Sequence, residues 1–235
     1  MARRLRRVAL LPGAGPARPH RTGAPLKIGR ILGFPTVVEP SALFLLALFA
    51  LLGARDGPGS MVGGVLVAVA IFASVLVHEL GHAVVARRFR LGPIRISLNA
   101  LGGLTHFGRP PAPGPGVIVT LAGPLAGFAL AGVCFVASQL VGPGPAAKVL
   151  AVATSLNLFW SAFNLLPMLP LDGGIVTLHG LTLWLGPRDA TRWAARASVV
   201  VGVGLGLVAI LAAEPFVGVF AVMSLLRTVP LAIAR

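Results

Sequence analysis

His78 and His82 lie four residues apart, with Glu79 beside the first, in the pentapeptide His78-Glu79-Leu80-Gly81-His82. On a helix, residues at this spacing share one face, so both imidazoles can reach a single metal ion with the carboxylate next to it. The donor types point to hydrolysis. Two neutral ring nitrogens suit zinc, one Zn2+ per chain, and Glu79 is placed to act as general base on the water that the ion activates. Hydrolysis needs water, yet this pentapeptide sits inside an apolar run.

The elements that must position it are membrane elements. The 235 residues are 56% hydrophobic and 11% charged, with a mean hydropathy of +0.91, which describes a polytopic bundle rather than a soluble domain. Apolar runs predict six spans over residues 40–54, 61–86, 117–141, 148–169, 195–213 and 216–233, the second carrying the metal motif. Ile175 to Leu185 reads as an interfacial helix, with Trp184 and Trp193 at belt positions. Leu91 to Leu98 alternates loosely, Gly102-Gly103 breaks the pattern and Leu104 to Phe107 returns. The expected fold is therefore an all-α polytopic membrane protein of about six transmembrane helices, with a small membrane-associated β-hairpin or re-entrant segment. Residues 1–25 read as a basic, poorly ordered cytoplasmic tail and 26–235 as one membrane-embedded domain. Val8 to Leu11 is too short an apolar stretch for a signal peptide, and Pro12 interrupts it.

A net charge of +14 invites a nucleic-acid reading. Its distribution argues against one, because the basic residues edge the apolar segments rather than covering one face. They gather in the tail, after the second span at Arg87, Arg88, Arg90, Arg95 and Arg109, and after the fourth at Arg188, Arg192 and Arg196. Both termini are then expected in the cytoplasm, with the lipid bilayer as partner and no nucleic acid. At about 1.5 Å per residue, His82 would sit roughly 8 Å and His78 roughly 14 Å from the Arg87–Arg88 anchor, submerged on the cytoplasmic side of the midplane. Cys134, the single cysteine, allows no intramolecular disulfide and reads as a core residue.

A catalytic zinc usually takes three protein ligands and one open position. A metzincin arrangement needs Gly at 85 and His at 88, where this chain has Val85 and Arg88. No Glu occurs between Glu79 and Glu214, and Glu214 belongs to the opposite membrane face. Asp172 is the candidate left: it follows a span ending on the cytoplasmic side, after Pro167 and Pro170, which should break the helix and free the carboxylate to aim inward. Gly173 and Gly174 would permit backbone close to the metal, or a sharp turn.

The pentapeptide, with Phe163-Asn164-Leu165-Leu166-Pro167 and Pro170-Leu171-Asp172-Gly173-Gly174, resembles the site-2 protease family of intramembrane zinc metalloproteases. Gly102-Gly103, Ala122-Gly123-Pro124-Leu125 and Lys27-Ile28-Gly29-Arg30 to Pro35 extend the resemblance over most of the chain from residue 26. Six spans with the motif in the second resemble the branch of the bacterial sporulation factor processing proteases. The resemblance implies a bacterial cell-membrane endopeptidase that cuts a transmembrane or membrane-associated protein near the cytoplasmic face. The substrate would be an anti-sigma factor or a membrane-tethered transcription regulator. Some relatives add a nucleotide-binding tail or a PDZ domain, and this sequence is expected to lack both. Many relatives carry His where this chain has Glu39.

Around this core, Asn164 is a candidate for orienting substrate, against a plain interhelical hydrogen bond; for Asn157 the interhelical bond is the favoured reading. Gly102 and Gly103 could mark an edge where an unwound substrate adds as a strand, although any tight turn would use glycines. Gly123 and Gly127 read as close helix packing, and His106 as an interfacial residue. The rival functions are a membrane metal transporter, which gives Glu79 no task, and an inactive protease-like scaffold, which should have lost one of His78, Glu79, His82 and Asp172.

Overall fold

The structure, a computed structural model, describes residues 26–53, 58–99, 102–213 and 215–233. The basic tail over 1–25 lies outside the described residues. In chain order the elements are β1 (Leu26–Ile31), β2 (Phe34–Val38), α1 (Pro40–Gly53), α2 (Pro58–Arg88), β3 (Ile94–Asn99), β4 (Gly102–Phe107), α3 (Pro113–Leu140), α4 (Pro145–Asn164), α5 (Asp172–Leu211) and α6 (Pro215–Ile233). Helices α1, α2, α3, α4 and α6 all open on a proline. Its fixed φ suits the first helical turn, where the missing N–H would have no partner anyway.

Among the described residues, four helical stretches are long and apolar enough to cross a membrane: Val62–Arg88, Pro113–Leu140, Pro145–Asn164 and Asp172–Leu211. The expected first and last spans come out shorter. The 14 residues of α1 rise about 21 Å, against a hydrocarbon core of about 30 Å, and the last described apolar stretch is Val217–Ile233. The expected interfacial helix and fifth span join as α5, which breaks at Gly186 (φ 76°, ψ 168°) just before Pro187. Glycine tolerates the left-handed φ, and proline can supply no hydrogen bond across the junction.

The β structure is larger than the single hairpin expected. Four strands form one sheet in the order β1-β2-β3-β4. β1–β2 and β3–β4 are antiparallel, and β2 and β3 pair in parallel through Thr36–Ile96, Val37–Ser97 and Val38–Leu98. The unforeseen β1–β2 hairpin turns at Leu32 and Gly33, both with positive φ (50° and 88°), the backbone of a primed turn that matches strand twist. Leu-Gly is a weak signal for such a turn, which favours Asn-Gly or Asp-Gly. Arg87 at the end of α2 secures it: Nη1 donates to the Leu32 carbonyl at 3.2 Å, and the guanidinium lies 4.8 Å from the Phe34 ring centroid.

The chain forms two compact units: one up to Pro110 with Leu125–Ser161, the other Pro111–Pro124 with Ala162–Arg235. In the first, buried Phe34, Thr36, Val38, Ile96 and Leu98 build the sheet's core. Asn157 Nδ2 donates to Ser74 Oγ at 2.8 Å, tying α4 to α2 as an interhelical bond. Gly127 leaves space that Ser161 Oγ fills, so α3 and α4 pack closely there. In the second unit the connection before α5 is clamped by two buried serines. Leu169 N donates to Ser198 Oγ at 2.9 Å, and Ser224 Oγ donates to the Leu169 carbonyl at 2.5 Å.

Candidate active site

Helix α2 changes character along its length. Val62, Val65, Leu66 and Val69 are exposed apolar residues, whereas His78, Glu79 and His82 are only 6%, 6% and 7% exposed. The helix carries the motif out of its lipid-type surface and under the sheet, against β3 and β4. His78 Nε2 and His82 Nε2 face each other 3.1 Å apart, with the rings nearly perpendicular at 81°. Ligand atoms of His78, Glu79 and His82 all lie within 4.8 Å of one another.

The donor set fits a metal of zinc's size. An ion about 2.05 Å from each of two imidazole nitrogens, at a tetrahedral angle, holds those nitrogens roughly 3.3 Å apart. The observed 3.1 Å differs little from that. Two buried rings with nitrogens converging at this distance, beside a buried carboxylate, form a group that could hold a divalent cation.

Glu79 is held from above by β4. Thr105 Oγ1 lies 2.5 Å from Glu79 Oε2 and 3.2 Å from the Glu79 carbonyl, and it is buried. A hydroxyl has one proton, and the shorter contact to the carboxylate takes it. Two residues back on the same strand face, Gly103 leaves room for the carboxylate: a Cβ there would stand 2.6 Å from Oε1 and 2.7 Å from Cδ. Gly102, at φ +130°, takes a backbone conformation that side chains rarely adopt, and faces Trp160.

The other predicted residues fall as follows. Asp172 is the first residue of α5 and Asn164 the last of α4; both belong to the second unit. The metal-competent group among the described residues contains His78, Glu79 and His82. Gly173 and Gly174 meet backbone: side chains there would collide with Leu165 and Leu166, and with Met168 and Leu169. They serve close packing of the first turn of α5 on the preceding connection. His106 pairs with Ser97, its Nε2 3.1 Å from Oγ. Burial, then Arg95, pushes its pKa below the usual histidine value, partly offset by Glu79 and Glu39. Glu39 continues the sheet through its backbone N–H, which donates to the Leu98 carbonyl at 2.8 Å. Thr105 escaped the sequence reading. Its one signal was the two-residue spacing from Gly103, which means something only once β4 is known to lie on α2.

Residues 66–148 match the model of Peptidase family M50. The chain carries a site-2 protease domain of the M50 family. The matched stretch takes in the α2 motif, β3, β4 and α3, and stops short of Asp172. The M50 chain is 37% identical, over 202 residues, to a Mycobacterium tuberculosis protein provisionally named zinc metalloprotease Rip3, covering 77% of this chain and 51% of that one. With the zinc metalloprotease MJ0392 of Methanocaldococcus jannaschii it shares 30% identity over 187 residues, 79% of this chain and 53% of the relative. It thus spans about half the length of these relatives. Among solved structures, the site-2 protease from Methanocaldococcus jannaschii is similar in fold, with TM-score 0.62 at 21% identity, over 90% of this chain and 97% of that one.

Proposed function

We propose that the M50 chain is a zinc-dependent intramembrane endopeptidase, its two units acting as one protease domain. It cuts a transmembrane or membrane-associated protein near the cytoplasmic face of a bacterial cell membrane. The observation that carries this reading is Glu79, buried beside two converging imidazoles and seated on a strand. A transporter site would have no use for such a carboxylate.

His78, His82 and Asp172 are the residues that would hold the zinc ion, which when bound supplies Lewis acidity to the water and to the scissile carbonyl. Glu79 takes the proton from the attacking water and passes it to the departing amide nitrogen. Burial keeps bulk water away from this carboxylate, so the proton it accepts stays within the site. Asn164 orients the substrate carbonyl. β4 is an edge strand of the sheet, and its Gly102–Gly103 end is where an unwound substrate would add as a further strand, extended as cleavage requires. Anti-sigma factors and membrane-tethered transcription regulators are the substrate class, and both termini lie in the cytoplasm with the basic loops.

The test uses purified protein and a panel of single-span membrane proteins in detergent micelles. Zinc-loaded wild type cleaves at least one of them. Glu79→Gln keeps its zinc and leaves that substrate intact; undiminished cleavage by this variant refutes the mechanism.

A further inference from the structure

The protease reading gives Glu79 its task but not what holds the carboxylate in place. We infer that Thr105 is the positioning residue of the general base, an inference that rests on that reading. Glu79 has two carboxylate oxygens, and the structure treats them differently. Oε2 accepts the Thr105 hydroxyl at 2.5 Å. Oε1 rests over Gly103, where a Cβ would stand 2.6 Å away. One oxygen is thus bound to the strand, and the other is left to carry the proton. A hydrogen bond to an ionised acceptor is short and directional, so it fixes the plane of the carboxylate as well as its position.

Without that bond Glu79 would be a side chain with several rotamers open to it. A base must stay within hydrogen-bond reach of the proton it takes, and small displacements are costly in rate. The same hydroxyl lies 3.2 Å from the Glu79 backbone carbonyl, so Thr105 touches both ends of the residue that it positions. Its strand neighbours cannot substitute, because Leu104 and His106 point to the opposite face of β4.

The geometry also separates this role from substrate binding. The Thr105 side chain is turned toward α2, whereas a substrate strand would pair with the backbone of the β4 edge. Removing the hydroxyl leaves every backbone N–H and C=O of that edge in place. Thr105→Val keeps the shape and strand propensity of threonine and deletes only the hydroxyl. Thr105→Ser keeps the hydroxyl and deletes only the methyl.

The experiment measures kcat, KM and bound zinc for wild type, Thr105→Val, Thr105→Ser and Glu79→Gln, on a single-span substrate that wild type cleaves in micelles. Thr105→Val should lower kcat roughly 10- to 100-fold, the range for losing a supporting hydrogen bond of this kind. KM and zinc content should stay at the wild-type level, and Thr105→Ser should return kcat to within a few-fold of wild type. Wild-type kcat in Thr105→Val, with Glu79→Gln inactive, overturns the positioning role and leaves the protease reading standing. Loss of zinc, or equal damage in Thr105→Val and Thr105→Ser, makes Thr105 a packing residue and also overturns it. An active Glu79→Gln overturns the protease reading itself.

Discussion

Gly103→Ala tests whether Glu79 is seated where the structure puts it. A Cβ at position 103 would stand 2.6 Å from Oε1 and 2.7 Å from Cδ, whereas ordinary contact begins near 3.4 Å. Glu79 Cγ lies nearer still, so clearing all three atoms asks for a displacement of about 1 Å. Overpacking a rigid neighbour costs about 1–3 kcal/mol. Here the nearest atoms, Cγ, Oε1 and Cδ, all belong to the Glu79 side chain, so that side chain moves instead of the strand and the loss of stability should stay at the low end of that range. Activity has no such escape, because a misplacement of about 1 Å can cost on the order of 100-fold in rate. The expected outcome is therefore a variant that unfolds almost like wild type, keeps its zinc and loses roughly 100-fold in kcat. Thermal unfolding, zinc content and separate kcat and KM values on a single-span substrate in micelles give the three readouts. A kcat within threefold of wild type would show that the carboxylate does not rest on Gly103. A change confined to KM would assign Gly103 to the substrate edge instead, and refute the seating argument equally.

Three further outcomes follow from other parts of the molecule. Asp172→Ala should weaken zinc binding by at least roughly 100-fold in a chelator competition, the outcome that the proposed third ligand requires; unchanged affinity removes Asp172 from the ligand set. Ser198→Ala and Ser224→Ala should each cost about 1–3 kcal/mol in thermal unfolding, because each strips a partner from the buried backbone of Leu169. The double variant should lose less than the sum, since both act on one residue. Arg87→Gln should speed hydrogen exchange at residues 32–34, at a cost of only about 0.5–1 kcal/mol, since its contacts with the turn are exposed; unchanged exchange there would deny Arg87 its hold on the turn.

The membrane helices were legible because their signal is local and long. Apolar runs such as 117–141 and 148–169 need no tertiary information to be read, and α3 and α4 lie close to them. The break at Gly186 falls where the interfacial helix is expected to end, at Leu185, whereas only the backbone shows that helix resumes at once from Pro187. The β1–β2 hairpin was missed for the opposite reason. Its turn is Leu32-Gly33, which lacks the usual turn chemistry, and part of its hold comes from Arg87, 55 residues away. A six-residue strand with exposed Leu26 and Ile28 at the sheet edge leaves little alternation to detect.

The site divides along the same line. His78, Glu79 and His82 declare themselves because a four-residue spacing on one helix fixes their geometry whatever the rest of the chain does. The glycines show where spacing alone leaves the choice open. Gly102-Gly103 suits either a substrate edge or a tight turn, and Gly173-Gly174 either backbone near a metal or a sharp turn. A glycine in sequence says only that something must come close; the identity of the neighbour is a tertiary fact. At 173 and 174 the neighbour is the backbone of residues 165–169, and at 103 it is the Glu79 side chain. That last substitution of neighbours changes what β4 is for. Its backbone edge can still receive a strand, but its inner face, through Gly103 and Thr105, already holds Glu79. A substrate that pairs with β4 would then stiffen the strand that aims the base, so productive binding and alignment of the carboxylate become one event. A strand edge and a base held separately would have to be aligned by two.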